Sequence, residues 1–275
     1  MTMDSLELHR AIAEGPYEAQ IGSALITMVE PHEGFDRDYN RWYEDDHFIS
    51  GALAMPWMFA GRRFVAPKRL QGMRAPDNSP IANPLALGKY ISLYWIIEGR
   101  QNDQAAHSTA INRRLRADDR ILLKRDHIYT SFQTYRGAVY RDDAVVRDIH
   151  ILNYPFGGHV LEVIDAVDGQ REALIDWLKA DYIPSRLKGS DMAVATIFTP
   201  IPLPADKMPD VADIPGIEDR VTILWFSDHE PERSFDALFG MAEVDLVASG
   251  KGKLAFVAPF VPTFHGTDRY VDELR

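Results

Sequence analysis

The chain carries one pattern twice. Trp42 in YNRWYEDDHFIS (39–50) has a counterpart in Trp177 of LIDWLKADYIPS (174–185), and at the same offset of 135, without a gap, Gly34 meets Gly169, Asp46 meets Asp181, Ser50 meets Ser185 and Pro67 meets Pro202. A repeated unit constrains the fold more than any isolated motif, because each copy offers the other a surface on which to bury its apolar face.

The order of elements agrees between the copies. SALITMVE (23–30) and HVLEVIDA (159–166) read as strands from their β-branched content and length. Each precedes the helix-period segment that holds the tryptophan. Second strands follow at 57–67 and 192–202, then proline-rich connections at 68–88 and 203–219, long enough to serve as a lid or rim. YISLYWII (90–97) and RVTILWFS (220–227) are third strands, with Trp95 and Trp225 at matching places; 102–118 and 230–249 read as helices, and 127–135 and 254–261 as closing strands. The unit is β-α-β-β-α-β, the ferredoxin-like arrangement. The expected fold is therefore α+β: tandem ferredoxin-like repeats packed sheet to sheet as an intrachain α+β barrel. Its expected divisions are an N-terminal extension with a helix over 1–20, a first repeat over 21–140 as the active half, a linker over 141–156, a second repeat over 157–265 and a tail over 266–275.

Composition removes whole classes of function. Acidic residues outnumber basic ones by 41 to 30, so the cationic surplus of a nucleic-acid binder is missing. Without cysteine there are no disulfides, thiolate metal sites or cysteine nucleophiles. No segment approaches the roughly 18 apolar residues of a membrane span, and the first residues lack a basic start followed by an apolar run. The expectation is a cytoplasmic chain without nucleic-acid or membrane partners. The nine histidines are scattered singly, so no metal site is expected.

Residues 39, 42, 43, 46 and 47 recur at helical spacing, which puts Tyr39, Trp42, Tyr43, Asp46 and His47 on one inward face. The second copy holds Leu174, Trp177, Leu178, Asp181 and Tyr182 at those places, an ordinary packing face. Polar groups added to such a face need partners that a dry core lacks, so the first copy points to a cavity lined by aromatic walls.

The order W-Y-x-x-acid-H at the end of a first helix, with an apolar run into the next strand (WYEDDHF…MFAGRRF), resembles the EthD-like branch of the dimeric α+β-barrel superfamily. That resemblance implies a barrel cavity with His47 as an acid or base, and a chain able to close a barrel by itself, with a homodimer as an addition. It departs from the family's pattern at Phe48-Ile49, where leucine-proline is usual, and in the second copy, where Tyr182 replaces the histidine. Members of that superfamily include cofactor-free isomerases, lactone isomerases, polyketide cyclases and monooxygenases, besides haem-binding branches.

The resulting expectation is a cofactor-independent isomerase, lyase or cyclase acting on a small hydrophobic cyclic or aromatic substrate, with His47, Tyr43 and Asp46 as catalytic candidates. Tyr43 lies one turn before His47 and could hold the imidazole or a substrate oxygen. Tyr39, Trp42, Tyr94, Trp95, His127 and Tyr129 are candidate substrate contacts, with Tyr129 and Tyr135 on the face of His127 by strand parity. Arg62 and Arg63 alternate along the second strand, so one of them could stabilise an enolate or bind a carboxylate. The alternatives are a haem enzyme, with His150, His159, His229 or His265 as further axial candidates, and a non-catalytic small-molecule-binding module. SRLK (185–188) matches Ser-x-x-Lys without its companion motifs, and the basic run 113–125 reads as a solvated helix face.

Overall fold

Strands buried on both faces read as near-continuous apolar runs, and YISLYWII (90–97), MAVATIFTP (192–200) and RVTILWFS (220–227) are such runs in this chain. The structure is a computed structural model that describes residues 18–205 and 207–275. The N-terminal helix expected over 1–20 falls almost wholly outside the described residues. In chain order the first half comprises β1 (Ile21–Pro31), α1 (Asp36–Trp42), β2 (Met58–Val65), α2 (Lys68–Gln71), β3 (Tyr90–Ile97), α3 (Gln101–Ala117) and β4 (Arg125–Tyr140). The second comprises β5 (Gly158–Ala166), α4 (Arg171–Trp177), α5 (Ile183–Leu187), β6 (Met192–Pro200), β7 (Arg220–Ser227), α6 (Phe235–Phe239), α7 (Ala242–Ser249) and β8 (Gly252–Pro262). The helix expected over 230–249 is broken into α6 and α7, separated at Gly240-Met241.

The eight strands close in the order β1-β3-β2-β8-β5-β7-β6-β4, antiparallel throughout. Each half thus has the same internal order, fourth strand beside first, first beside third, third beside second. The two ferredoxin-like sheets join at the β4–β6 and β2–β8 seams, so the fold is the α+β barrel expected of the duplicated pattern.

The interior of the barrel is packed. Trp95 meets Phe198 across it with ring centroids 5.4 Å apart; His159 lies among Phe64, Phe226 and Phe260 at 5.0, 5.1 and 6.0 Å. The Tyr129 hydroxyl bonds that of Thr222 at 2.7 Å. This corrects the expected barrel cavity: aromatic side chains from opposite strands fill it, and the helices cover the outside of the wall.

The two tryptophans expected at matching places do not match. Trp95 points into the barrel, whereas Trp225 points outward against Phe239 of α6, centroids 5.5 Å apart. The strand register gives the reason. Leu25 pairs with Tyr94, and Val160, at the offset of 135, pairs with Trp225, so the true counterpart of Trp225 is Tyr94.

Both leading helices change winding at one place. After Trp42 the chain forms π-turns over Tyr43–His47 and Ile49–Leu53, and after Trp177 a π-turn over Leu178–Tyr182. The first and third of these are 135 residues apart. A π-turn interrupts the 3.6-residue period, and such turns recur at functional sites.

Two connections behave differently. Residues 68–88 are fixed against the barrel: the buried Arg74 donates to the carbonyls of Leu85, Leu87 and Gly88 at 2.6–2.9 Å, and Ser79 Oγ donates to the carbonyl of Ala255 at 2.6 Å. They form a rim, not a lid. Leu203, Pro204 and residues 207–211, by contrast, roof the space described next.

Candidate functional site

A pocket of about 120 Å³ lies between the outer face of the first-half sheet, the π-wound end of α1, and α3. Its sheet wall is Leu25, Thr27 and Val29 of β1 with Tyr94 and Phe132; Trp42, Tyr43, His47, Gly51 and Ala52 form the helical wall. Leu203, Pro204, Lys207, Met208, Asp210 and Val211 close the top.

His47 is held by ring contacts. Its imidazole stacks on Trp42 with centroids 4.3 Å apart and planes 20° from parallel, and meets the Tyr43 ring edge-on at 5.2 Å. The third support is a missing side chain: a Cβ on Gly51 would lie 2.3 Å from His47 Cε1 and 2.4 Å from Nδ1. Nδ1 is buried without a hydrogen-bond partner. Burial, reinforced by the positive charge of Arg125 and opposed by Asp46, pushes the imidazole down to about 3, so it is neutral at pH 7.

A second histidine faces the same space. His127 Nδ1 and Thr130 Oγ1 are 2.8 Å apart, Thr130 and Thr27 share a 2.8 Å hydroxyl contact, and His127 Nε2 lies 3.3 Å from an Arg125 nitrogen. Because the guanidinium can only donate, Nε2 accepts and Nδ1–H donates to Thr130, an assignment made from partners. Burial, with Arg125 again adding to it, holds His127 at about 4. The pocket therefore offers two neutral imidazoles beside an aromatic wall.

Of the other candidates, Tyr43 and Tyr94 join hydroxyls at 2.6 Å, and burial holds the Tyr94 phenol well above its usual range. Tyr43 thus bonds Tyr94, not His47. Tyr94→Phe would leave the Tyr43 hydroxyl buried and unpaired, and is expected to lower unfolding free energy in urea by about 1–3 kcal/mol.

Several expectations are corrected. Asp46 turns away from the pocket to an ion pair with Arg120 and accepts from Ser50 at 3.0 Å. Tyr39 is 1% exposed behind the wall, packed on Tyr90 at 5.0 Å. Trp95 and Tyr129 point into the barrel. Tyr129 does not share the face of His127, as strand parity predicts, because β4 carries a bulge between them that returns His127 to the outer face.

Neither arginine of β2 reaches the pocket, and neither is an ordinary surface charge. Arg63 is wholly buried against Glu44, its guanidinium 4.3 Å from the Tyr43 ring centroid; Arg62 donates to the carbonyls of Tyr154 and Phe156.

Sequence reasoning missed Gly51, Thr27, Thr130, Arg125 and Asp210. Gly51 alone had a local signal, a glycine four residues after the histidine on the same helix.

The second half closes the equivalent place. Tyr182, counterpart of His47, donates to the buried carboxyl of Glu162, which also accepts from Trp225 Nε1 at 2.9 Å. Arg186 stacks over the Tyr182 ring at 3.6 Å. Leu174 and Leu178 are fully buried there.

No protein-family profile matches the chain. No curated protein matches it either. Solved structures do share its fold. An anthrone oxidase-like protein aligns over 90% of this chain and 93% of its own at 9% identity with a TM-score of 0.55. A candidate chlorite dismutase aligns over 92% and 98% at 10% identity, TM-score 0.54. A DypB variant from Rhodococcus jostii RHA1, solved in complex with haem, aligns over 94% and 96% at 9% identity, TM-score 0.50.

The expectation of no cofactor is corrected by the last of these: the same fold holds haem, so the barrel itself carries no argument for cofactor-free chemistry. None of the three names describes an isomerase, lyase or cyclase. Nor does the pocket with its roof in place fit a haem, since about 150 Å³ already corresponds to a single benzene ring. The other axial candidates are no better placed. His150 and His229 are exposed, His265 is 63% exposed beside Glu44, and His159 is enclosed in the packed barrel.

Among the described residues no group of histidines and carboxylates could hold a metal ion, and no helix is long and apolar enough to cross a membrane. At these identities the likeness establishes the fold alone: the chain is an α+β barrel with two neutral histidines in a pocket outside its wall.

Proposed function

We propose that the chain is an enzyme of the EthD-like kind that binds a small, ring-sized hydrophobic or aromatic substrate against Trp42 and moves a proton to or from it through His47. One observation carries the reading. The same π-turn that presents an enclosed imidazole with an unpartnered Nδ1 beside a cavity in one half presents Tyr182, fully engaged with Glu162, in the other.

A neutral imidazole accepts a proton from a carbon or oxygen acid, and its low affinity for protons in the empty pocket is relieved once the substrate's own anion lies beside it. His127, fixed through Thr130, is the second acceptor, and the roof of Leu203, Pro204 and residues 207–211 excludes water. Tyr43 and Tyr94 hold the helix against the sheet.

Mass spectrometry of ligands carried through purification tests this reading. A small aromatic molecule is expected from the wild-type chain and lost from the Trp42→Ala/His47→Ala double variant; retention by that folded variant would contradict it. The haem-enzyme reading keeps one observation in its favour, the enclosed neutral His47, and is checked by haem titration: it requires a Soret band that changes in His47→Ala.

A further inference from the structure

The polar end of the pocket is organised around one guanidinium. The Arg125 side chain is 8% exposed and its guanidinium lies 5.1 Å from the centroid of Trp42, the ring on which His47 also stacks. It donates to the Leu122 carbonyl, and its carboxylate partner is Asp210, at 3.4 Å. Asp210 comes from the 203–219 connection, whose described residues form no helix or strand. Its other oxygen takes Arg116 at 3.2 Å, and His127 Nε2 is 4.0 Å away. One carboxylate thus reaches into the mouth of an aromatic pocket and meets two arginines.

A buried guanidinium beside an apolar cavity needs an anion, and a planar fork suits a carboxylate. Asp210 supplies that anion only from a partly exposed position, with side-chain exposure of 27%, at the long end of ion-pair distance. Such a pair holds weakly against a competitor that adds ring burial to its charge.

We propose that Arg125, with Arg116, is the recognition site for an anionic group on the substrate, a carboxylate attached to the ring, and that Asp210 occupies this site as an internal competitor until such a ligand displaces it. This inference rests on the pocket being the substrate site, and adds the class of substrate. Displacing Asp210 frees the 207–211 part of the roof, so an acid-bearing ligand opens its own entrance.

Calorimetric titration with benzoate and its neutral isostere benzamide tests it. In Asp210→Asn, benzoate is expected to bind about tenfold more tightly than in wild type, the gain from removing a competitor that holds about nine sites in ten, with benzamide unchanged. Arg125→Gln is expected to bind benzoate and benzamide alike. Equal tightening of both probes in Asp210→Asn overturns the inference alone, since the loop would then be a steric cover. So does wild-type benzoate affinity in that variant. Binding of neither probe to any of the three proteins overturns both the inference and the functional reading beneath it.

Discussion

Replacing His47 by alanine is expected to lower turnover of the substrate identified by mass spectrometry by about 10²–10⁴-fold, the range a positioned proton-transfer group contributes. The fold should survive, because the change also removes a buried nitrogen that has no partner. Gly51→Ala makes the sharper case. Within a helix alanine is favoured over glycine by about 1 kcal/mol. Here its Cβ would fall 2.3 and 2.4 Å from two imidazole atoms of a ring that also stacks on Trp42 at 4.3 Å. The ring must leave its place, so Gly51→Ala is expected to reproduce most of the loss seen in His47→Ala. A variant with wild-type turnover and raised stability would show that the imidazole is not held where the mechanism needs it.

The second large effect is acid lability beginning near pH 6.5. His47, His127 and His159 are enclosed, and burial above all holds them at about 3, about 4 and about 3 against an ordinary 6.5. In the unfolded chain these imidazoles take up protons near pH 6.5, whereas in the folded chain they resist until pH 3–4. Between those limits the unfolded state binds more protons, so stability falls as pH falls.

At pH 5 each contributes a loss of about 2 kcal/mol relative to pH 7, about 6 kcal/mol together, comparable with the whole stability of many domains. Glu162, raised by burial, works in the opposite sense. Glu44 does not offset it: burial alone would raise its pKa, but His265, Arg63 and the Gly266 N–H hold it at about 2, which destabilises only below about pH 4.5. Urea unfolding at a series of pH values measures the slope. His159→Phe, placed among Phe64, Phe226 and Phe260, is expected to remove about a third of it. A flat profile between pH 7 and 5 would mean that these rings are hydrated or charged in the folded chain.

β3, β6 and β7 were legible because burial on both faces gives them long apolar runs, and the repeated sequence pattern supplied the order of the rest. The helix face was legible in part: Trp42, Tyr43 and His47 line the pocket, whereas Tyr39 lies behind the wall and Asp46 turns away, because the chain is wound as π-turns after Trp42. Side-chain direction on the strands was not legible. A bulge at Ile128 reverses the parity that joined Tyr129 to His127, and nothing in the local sequence marks it. The buried Arg63–Glu44 pair joins a strand to a helix 19 residues away, and an arginine in a strand carries no sign of whether it will meet water or a carboxylate. The pocket's polar end was equally hidden, since Arg125 and Asp210 come together only when the 203–219 connection crosses α3 and β4.

The position of the pocket outside the barrel wall is the claim on which the rest depends, and the histidine ring resonances test it directly. Titrating the protein with benzoate while recording ring ¹³Cε1–¹H signals should move those of His47 and His127, which line the pocket, and leave His159 inside the barrel where it was. Movement of the His159 signal with those of His47 and His127 unchanged would place the ligand within the barrel and contradict the account.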